Sequence, residues 1–132
     1  MKKLEIAGPD ELEHIQSSAA ANSAAFMELM LKKDYAGVQS FFSGTKSLMA
    51  GIDKKMTALC LRFEDQQALT SWASRMQTIC RHLDNIERNL PHINHRLFNW
   101  AEVIPSMGLV LAFRIGAEQT ISINEEKAAQ LA

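Results

Sequence analysis

Residues 69–90 read LTSWASRMQTICRHLDNIERNL, and their spacing decides the fold. Leu69, Trp72, Met76, Ile79, Leu83, Ile86 and Leu90 recur at alternating intervals of three and four. On a helix this places them in one apolar seam. The spacing keeps its phase past Pro91, through Ile93, Leu97, Trp100 and Ile104. It therefore predicts a helix over about 66–104 that bends or takes a 3₁₀ step at the proline, although Pro91 as the start of a separate helix fits the backbone rules as well. A seam this long needs other helices to cover it.

The preceding chain supplies two. Gly8-Pro9-Asp10-Glu11 is a helix start, with proline suited to the first helical position and acids to the positive end of the dipole. Leu12, Ile15, Ala19, Asn22, Phe26 and Leu29 then share one face of a helix over about 10–33. Asn22 at a seam position is either a tolerated polar residue or a determinant of register. After a break at Asp34-Tyr35-Ala36-Gly37, a second helix over about 36–63 carries Val38, Phe42, Thr45, Met49, Ile52, Met56, Leu59 and Phe63. Beside that seam Gly37, Gly44, Gly51 and Ala58 recur every seven residues. Each interior glycine costs about 1 kcal/mol relative to alanine. Close approach of another helix would offset this, and Ser18, Ala21 and Ala25 are small residues able to meet the stripe.

Beyond Pro105-Ser106-Met107-Gly108 the pattern changes. Leu109, Leu111, Phe113 and Ile115 alternate, as do Ile121 and Ile123 after Gly116-Ala117-Glu118. Alternation with a turn between is a strand signal. The expected architecture is thus mainly α: an antiparallel bundle of three long helices with a small C-terminal β-hairpin or extended arm. In the competing reading, Met107–Ile115 is a fourth helix. The chain divides into an arm (1–8), a bundle (9–105) and a hairpin with its tail (106–132), all within one domain of 132 residues. Two strands do not make a core of their own. Leu109, Leu111, Phe113, Ile115, Ile121 and Ile123 are therefore the candidate partner-binding residues, covered in part by a second chain, and a homodimer is expected.

Composition narrows the class without naming an activity. Hydrophobic content of 47%, charged content of 22% and a net charge of −1 are those of an ordinary globular chain, with no global attraction to nucleic acid or anionic membrane. No run approaches the roughly 20 apolar residues of a membrane span, and Glu5 and Asp10 interrupt any signal-peptide core. In an antiparallel hairpin turning near Glu64–Asp65, Cys60 and Cys80 are offset by about eleven residues, roughly 16 Å along the axis. That is beyond the reach of about 7 Å for a disulfide. Both cysteines read as reduced, half-buried thiols, and the expected location is cytoplasmic.

Candidate chemistry is sparse. His92 and His95 are three apart, but no cysteine or paired carboxylate joins them into a metal-binding pattern. Glu11 and His14 have the di-iron Glu-x-x-His spacing once, where such bundles need it twice. No phosphate loop, nucleophile elbow or local Ser–His–Asp signature is present. No catalytic residue, cofactor or metal is assigned. If the helix runs through Pro91, Arg81, Asn85, Arg88, His92, His95 and Asn99 line one face, with Arg96 beside it. Arg81, Arg88, His92, His95 and Arg96 are then candidate anion-binding donors. Nucleic acid is not the expected partner, because the basic excess is small and Trp72 and Trp100 lie on the seam.

The leading expectation is a non-catalytic helical interaction protein that associates with itself and with a protein partner. The alternatives are anion or nucleic-acid binding through the Arg81–Asn99 stripe, and a coat protein of a hydrophobic granule surface. For the latter, the run Ala19–Met30 and the long Met-rich helices resemble the phasins in general character, without a shared diagnostic motif.

Overall fold

The computed structural model describes residues 3–5, 9–96 and 98–130, with side chains described from residue 16 onward in the first helix. Among these residues the chain forms α1 (Pro9–Leu31), α2 (Tyr35–Arg62), α3 (Gln66–Asn89), a 3₁₀ turn (Leu90–His92) and α4 (Trp100–Gln130). The arm predicted over 1–8 falls partly outside the description, as do Leu97 and the side chains of Leu12 and Ile15.

The first two connections use the same device. Lys33 and Glu64 each take a left-handed conformation with φ of 54°. Asp34 N–H donates to Leu29 O at 3.1 Å and Lys33 N–H to Met30 O at 3.0 Å. Asp65 N–H donates to Cys60 O at 3.0 Å and Glu64 N–H to Leu61 O at 3.1 Å, the same pair one helix later. These are Schellman endings, with a lysine and a glutamate where glycine is usual. The following aspartate then caps the next helix: Asp34 Oδ1 accepts from Gly37 N–H and Asp65 Oδ1 from Ala68 N–H, both at 3.0 Å. The chain thereby reverses over two residues, and consecutive helices run antiparallel.

The seams on α2 and α3 face the core. Val38, Phe42, Thr45, Met49, Ile52, Met56, Leu59 and Phe63 are all buried, as are Trp72, Met76, Ile79, Leu83, Ile86 and Leu90. On α1 Phe26 and Met30 are buried, while Asn22 is half-buried and donates back to Ser18 O at 2.8 Å. The two tryptophans differ. Trp72 is 6% exposed, whereas Trp100 is half-buried and sets its ring edge-on to Phe98 at 5.2 Å.

Four sequence expectations are corrected. First, the helix does not run through Pro91. α3 stops at Asn89, the 3₁₀ turn follows, and irregular chain leads to α4. Asn99 stops the old phase by starting a new helix: its Oδ1 accepts from Glu102 N–H at 3.2 Å and its Nδ2 donates to Glu102 Oε2 at 3.0 Å. This reciprocal cap is a helix-start signature, Asn-x-x-Glu.

Second, the described residues of 106–132 contain no hairpin. No strand occurs among the described residues, and α4 passes unbroken through Gly108 and Gly116. Pro105 lies in the second turn, exposed, and the helix continues past it. The alternation of Leu109 to Ile115 misleads because α4 touches α1, α2 and α3 at once and is buried on more than one side. Its inward positions include Val103, Ser106, Met107, Val110, Leu111, Ala117, Thr120, Ile121, Asn124 and Ala128. Polar and small residues in that set disguise a helical stripe.

Third, beyond Gly37 the glycine stripe on α2 is not a contact. Gly44, Gly51 and Ala58 are exposed, as are Ala21 and Ala25, and a Cβ at Gly44 or Gly51 would meet nothing within 4 Å. Between α1 and α4, Ser23 Oγ would lie 3.9 Å from a Cβ on Gly108, an ordinary van der Waals contact. Fourth, the cysteines are free but not alike: Cys60 is buried and Cys80 exposed.

Candidate functional site

Two concave features flank α4. The first is a groove of about 510 Å³ between the C-terminal half of α1 and the N-terminal half of α4. Phe26, Met27 and Leu31 form one wall and Ile104 and Met107 the other, with Ser23 and Gly108 between them. These two small residues leave room between the longer side chains of the two walls. Leu31 at its rim is 71% exposed, and Leu109, next to Gly108, is 54% exposed. Glu28 and Lys32 pair at 2.9 Å along the same edge. Each favours its partner's charged form, so the glutamate titrates below and the lysine above its usual range.

The second is a cavity of about 460 Å³ among the end of α2, the start of α3 and the middle of α4. Met56, Trp72, Phe113 and the small side chains of Ala68, Ala112 and Ala117 line it. Trp72 and Phe113 stack with ring centroids 5.2 Å apart, and the Arg75 guanidinium sits 5.3 Å above the Phe113 ring. Trp72 Nε1–H donates outward to Asp53 Oδ1 at 2.8 Å, so the indole adds an apolar surface to the cavity and its polar edge serves α2.

One rim of this cavity is the segment 3–5, which is fastened by two side chains. Leu4 N–H donates to Asp65 Oδ2 at 3.2 Å. Glu5 N–H donates to Asn124 Oδ1 at 2.9 Å, and Asn124 Nδ2 donates to Glu5 O at 2.6 Å and to Thr120 O at 2.7 Å. Asn124 is fully buried, and these bonds satisfy it. Lys127 and Glu5 add an ion pair at 3.6 Å. Backbone donation from Ala68 and then Leu4 holds the Asp65 carboxyl below the usual aspartate range. Burial, followed by the Asp65 charge, pushes the Cys60 thiol up.

The residues predicted for partner binding do not form one surface. Leu111, Ile115 and Ile121 are buried within the bundle, Phe113 and Ile123 are half-buried, and Leu109 alone of the six is exposed. The helices cover most of this segment in cis. The donor stripe is also divided. Arg81 and Arg88 remain on α3, His92 lies in the 3₁₀ turn, and His95 and Arg96 lie in the irregular chain beyond it. The shallow depression at Arg81, Asn85 and Arg88 also holds Asp84 and Glu87. Arg88 donates to Asn85 Oδ1, and Glu87 pairs with Lys46 at 3.1 Å. Acids therefore interleave the donors. Among the described residues no group of three or more His, Cys, Asp or Glu is placed to hold a metal.

Sequence reading passed over the groove and the cavity because each joins helices distant in the chain. The local signals were Gly108 and Gly116, glycines inside an apolar run that a packed helix does not otherwise favour. α4 is long and apolar enough to cross a membrane by length and composition, yet here it runs through the bundle in contact with the other three helices. In comparisons with known proteins, the chain matches no family model, no curated protein and no solved structure.

Proposed function

We propose that this is a non-catalytic helical interaction protein that associates with a second copy of itself through the α1/α4 groove. The observation that carries the reading is that depression and projections lie together: Ser23 and Gly108 leave an apolar groove, and Leu31 stands out at its rim with most of its surface in water. A two-fold interface needs such a self-complementary patch, because the same residues serve as ridge and as groove. Exposed apolar side chains grouped beside an apolar depression also mark protein contact surfaces in general. The partner copy is the favoured occupant because the rim charges Glu28 and Lys32 already balance each other, which calls for no excess charge on the incoming surface.

The test is the mass of the full chain in solution, by light scattering or sedimentation, for the wild type and for Leu31→Glu. A dimer that becomes a monomer of unchanged helicity and melting temperature supports the reading. A wild-type monomer across the accessible concentration range, or a Leu31→Glu dimer, removes it.

A further inference from the structure

We infer that the cavity between α2, α3 and α4 is a binding site for a small amphipathic anion, a free molecule with a short apolar body and one carboxylate. Its volume of about 460 Å³ falls within the range of about 300–1,000 Å³ typical of small-molecule sites. The lining is mainly apolar, with Gln67, Ser71 and Thr120 as its uncharged polar members, and two further polar groups beside it are committed elsewhere. The Trp72 indole N–H is given to Asp53, and the Asp65 carboxylate accepts from Leu4 and Ala68. The charged groups in the lining are Arg75, held over the Phe113 ring, Lys3, brought there by the fastened segment 3–5, and the Asp65 carboxylate, so the cations exceed the anion by one. A guanidinium stationed on an aromatic face is pre-oriented and matches a carboxylate with two parallel donors. The ligand thus has its charge at Arg75 and its apolar body against Met56, Trp72 and Phe113.

Room for that body comes from small residues on α4. Gly116 lines the cavity, and a Cβ there would meet nothing within 4 Å. A Cβ at 116 displaces no neighbour, so this is the position from which the cavity can be narrowed. This site shares no lining residue with the α1/α4 groove, so the inference stands apart from self-association.

Octanoate, 1-octanol and octylammonium are the probes, below the concentrations at which they aggregate. Trp72 fluorescence in a Trp100→Phe background reports binding, with calorimetry for stoichiometry. Octanoate is expected to shift Trp72 emission saturably at one site and to bind more tightly than the alcohol or the ammonium. Arg75→Gln weakens octanoate by about tenfold, the scale of one hydrogen bond to a charged group, and leaves octanol unchanged. Gly116→Leu, with helicity and melting temperature retained, abolishes binding of octanoate and octanol alike. Equal binding of all three probes, no binding of octanoate, undiminished octanoate binding by Gly116→Leu, or a Trp72 shift with phosphatidylglycerol vesicles in the absence of one with octanoate would each overturn the inference.

Discussion

Trp72 on α3 donates its indole N–H to Asp53 on α2 at 2.8 Å. This bond lets a large, 6% exposed aromatic close the core without stranding its one polar atom. Removing the acceptor leaves a buried donor unpaired. Asp53→Ala should lower unfolding free energy by about 1–3 kcal/mol, and Asp53→Asn, which keeps an acceptor, by less. Urea denaturation followed by tryptophan fluorescence measures both.

The exposed glycines of α2 have the opposite sign. A methyl group at Gly44 or Gly51 meets nothing, so only the helix propensity changes. Gly44→Ala and Gly51→Ala should each stabilise the fold by roughly 0.5–1 kcal/mol. At Gly37 a Cβ would come within 2.6 Å of Asp34 Oδ2 and 3.1 Å of Leu29 Cδ2, displacing the cap. Gly37→Ala should destabilise, and thermal melts of the three variants side by side would show it.

Conversely, Lys33 and Glu64 hold left-handed conformations that glycine adopts without steric cost. Lys33→Gly and Glu64→Gly should raise stability by about 0.5–1 kcal/mol each, and close to additively, since the two turns are at opposite ends of α2. A fall in melting temperature for either would mean that the native side chain contributes more than its backbone strain removes.

Asp65 makes stability depend on pH. Its carboxyl titrates below the usual aspartate range in the folded state, because Ala68 and Leu4 donate to the charged form. A depressed folded value stabilises the protein above the unfolded aspartate value, and that contribution is lost as pH falls through the folded one. Asp65→Asn retains a cap acceptor, so its stability should change less than that of the wild type between about pH 5 and pH 2. Chemical denaturation across that range gives the two slopes.

The thiols should separate by rate. Cys80 is exposed and Cys60 is buried with its titration pushed up by burial. A thiol reagent should modify Cys80 at once and Cys60 only as fast as the core opens. Equal rates would place Cys60 outside the core.

Residues whose neighbours lie close in the chain were legible in advance. The three-and-four spacing of Val38 to Phe63 and of Trp72 to Ile86 names side chains that are indeed buried, and the breaks at Asp34 and Asp65 fall where the helices turn. α4 was not legible, because a helix packed by three others carries apolar residues on several faces. Its inward Ser106, Thr120 and Asn124 look like surface positions when read one residue at a time. The continued phase past Pro91 concealed a real break for a related reason: Ile93 and Phe98 are buried in irregular chain, so burial there does not require a helix. The Asn99–Glu102 cap was the local sign of the true start. The cavity was out of reach, since the room at Gly116 depends on what α2 and α3 place opposite it.

α4 lies against α1, α2 and α3, and through Asn124 it also holds the segment 3–5, 119 positions earlier in the chain. A ribosome delivers that helix after the other three. Until it emerges, the faces of α1, α2 and α3 that α4 covers are open, and the backbone at Leu4 and Glu5 has only part of its anchorage. The order of synthesis therefore leaves a window in which the nascent bundle is open and adhesive, and the arrival of α4 closes the core and fastens segment 3–5.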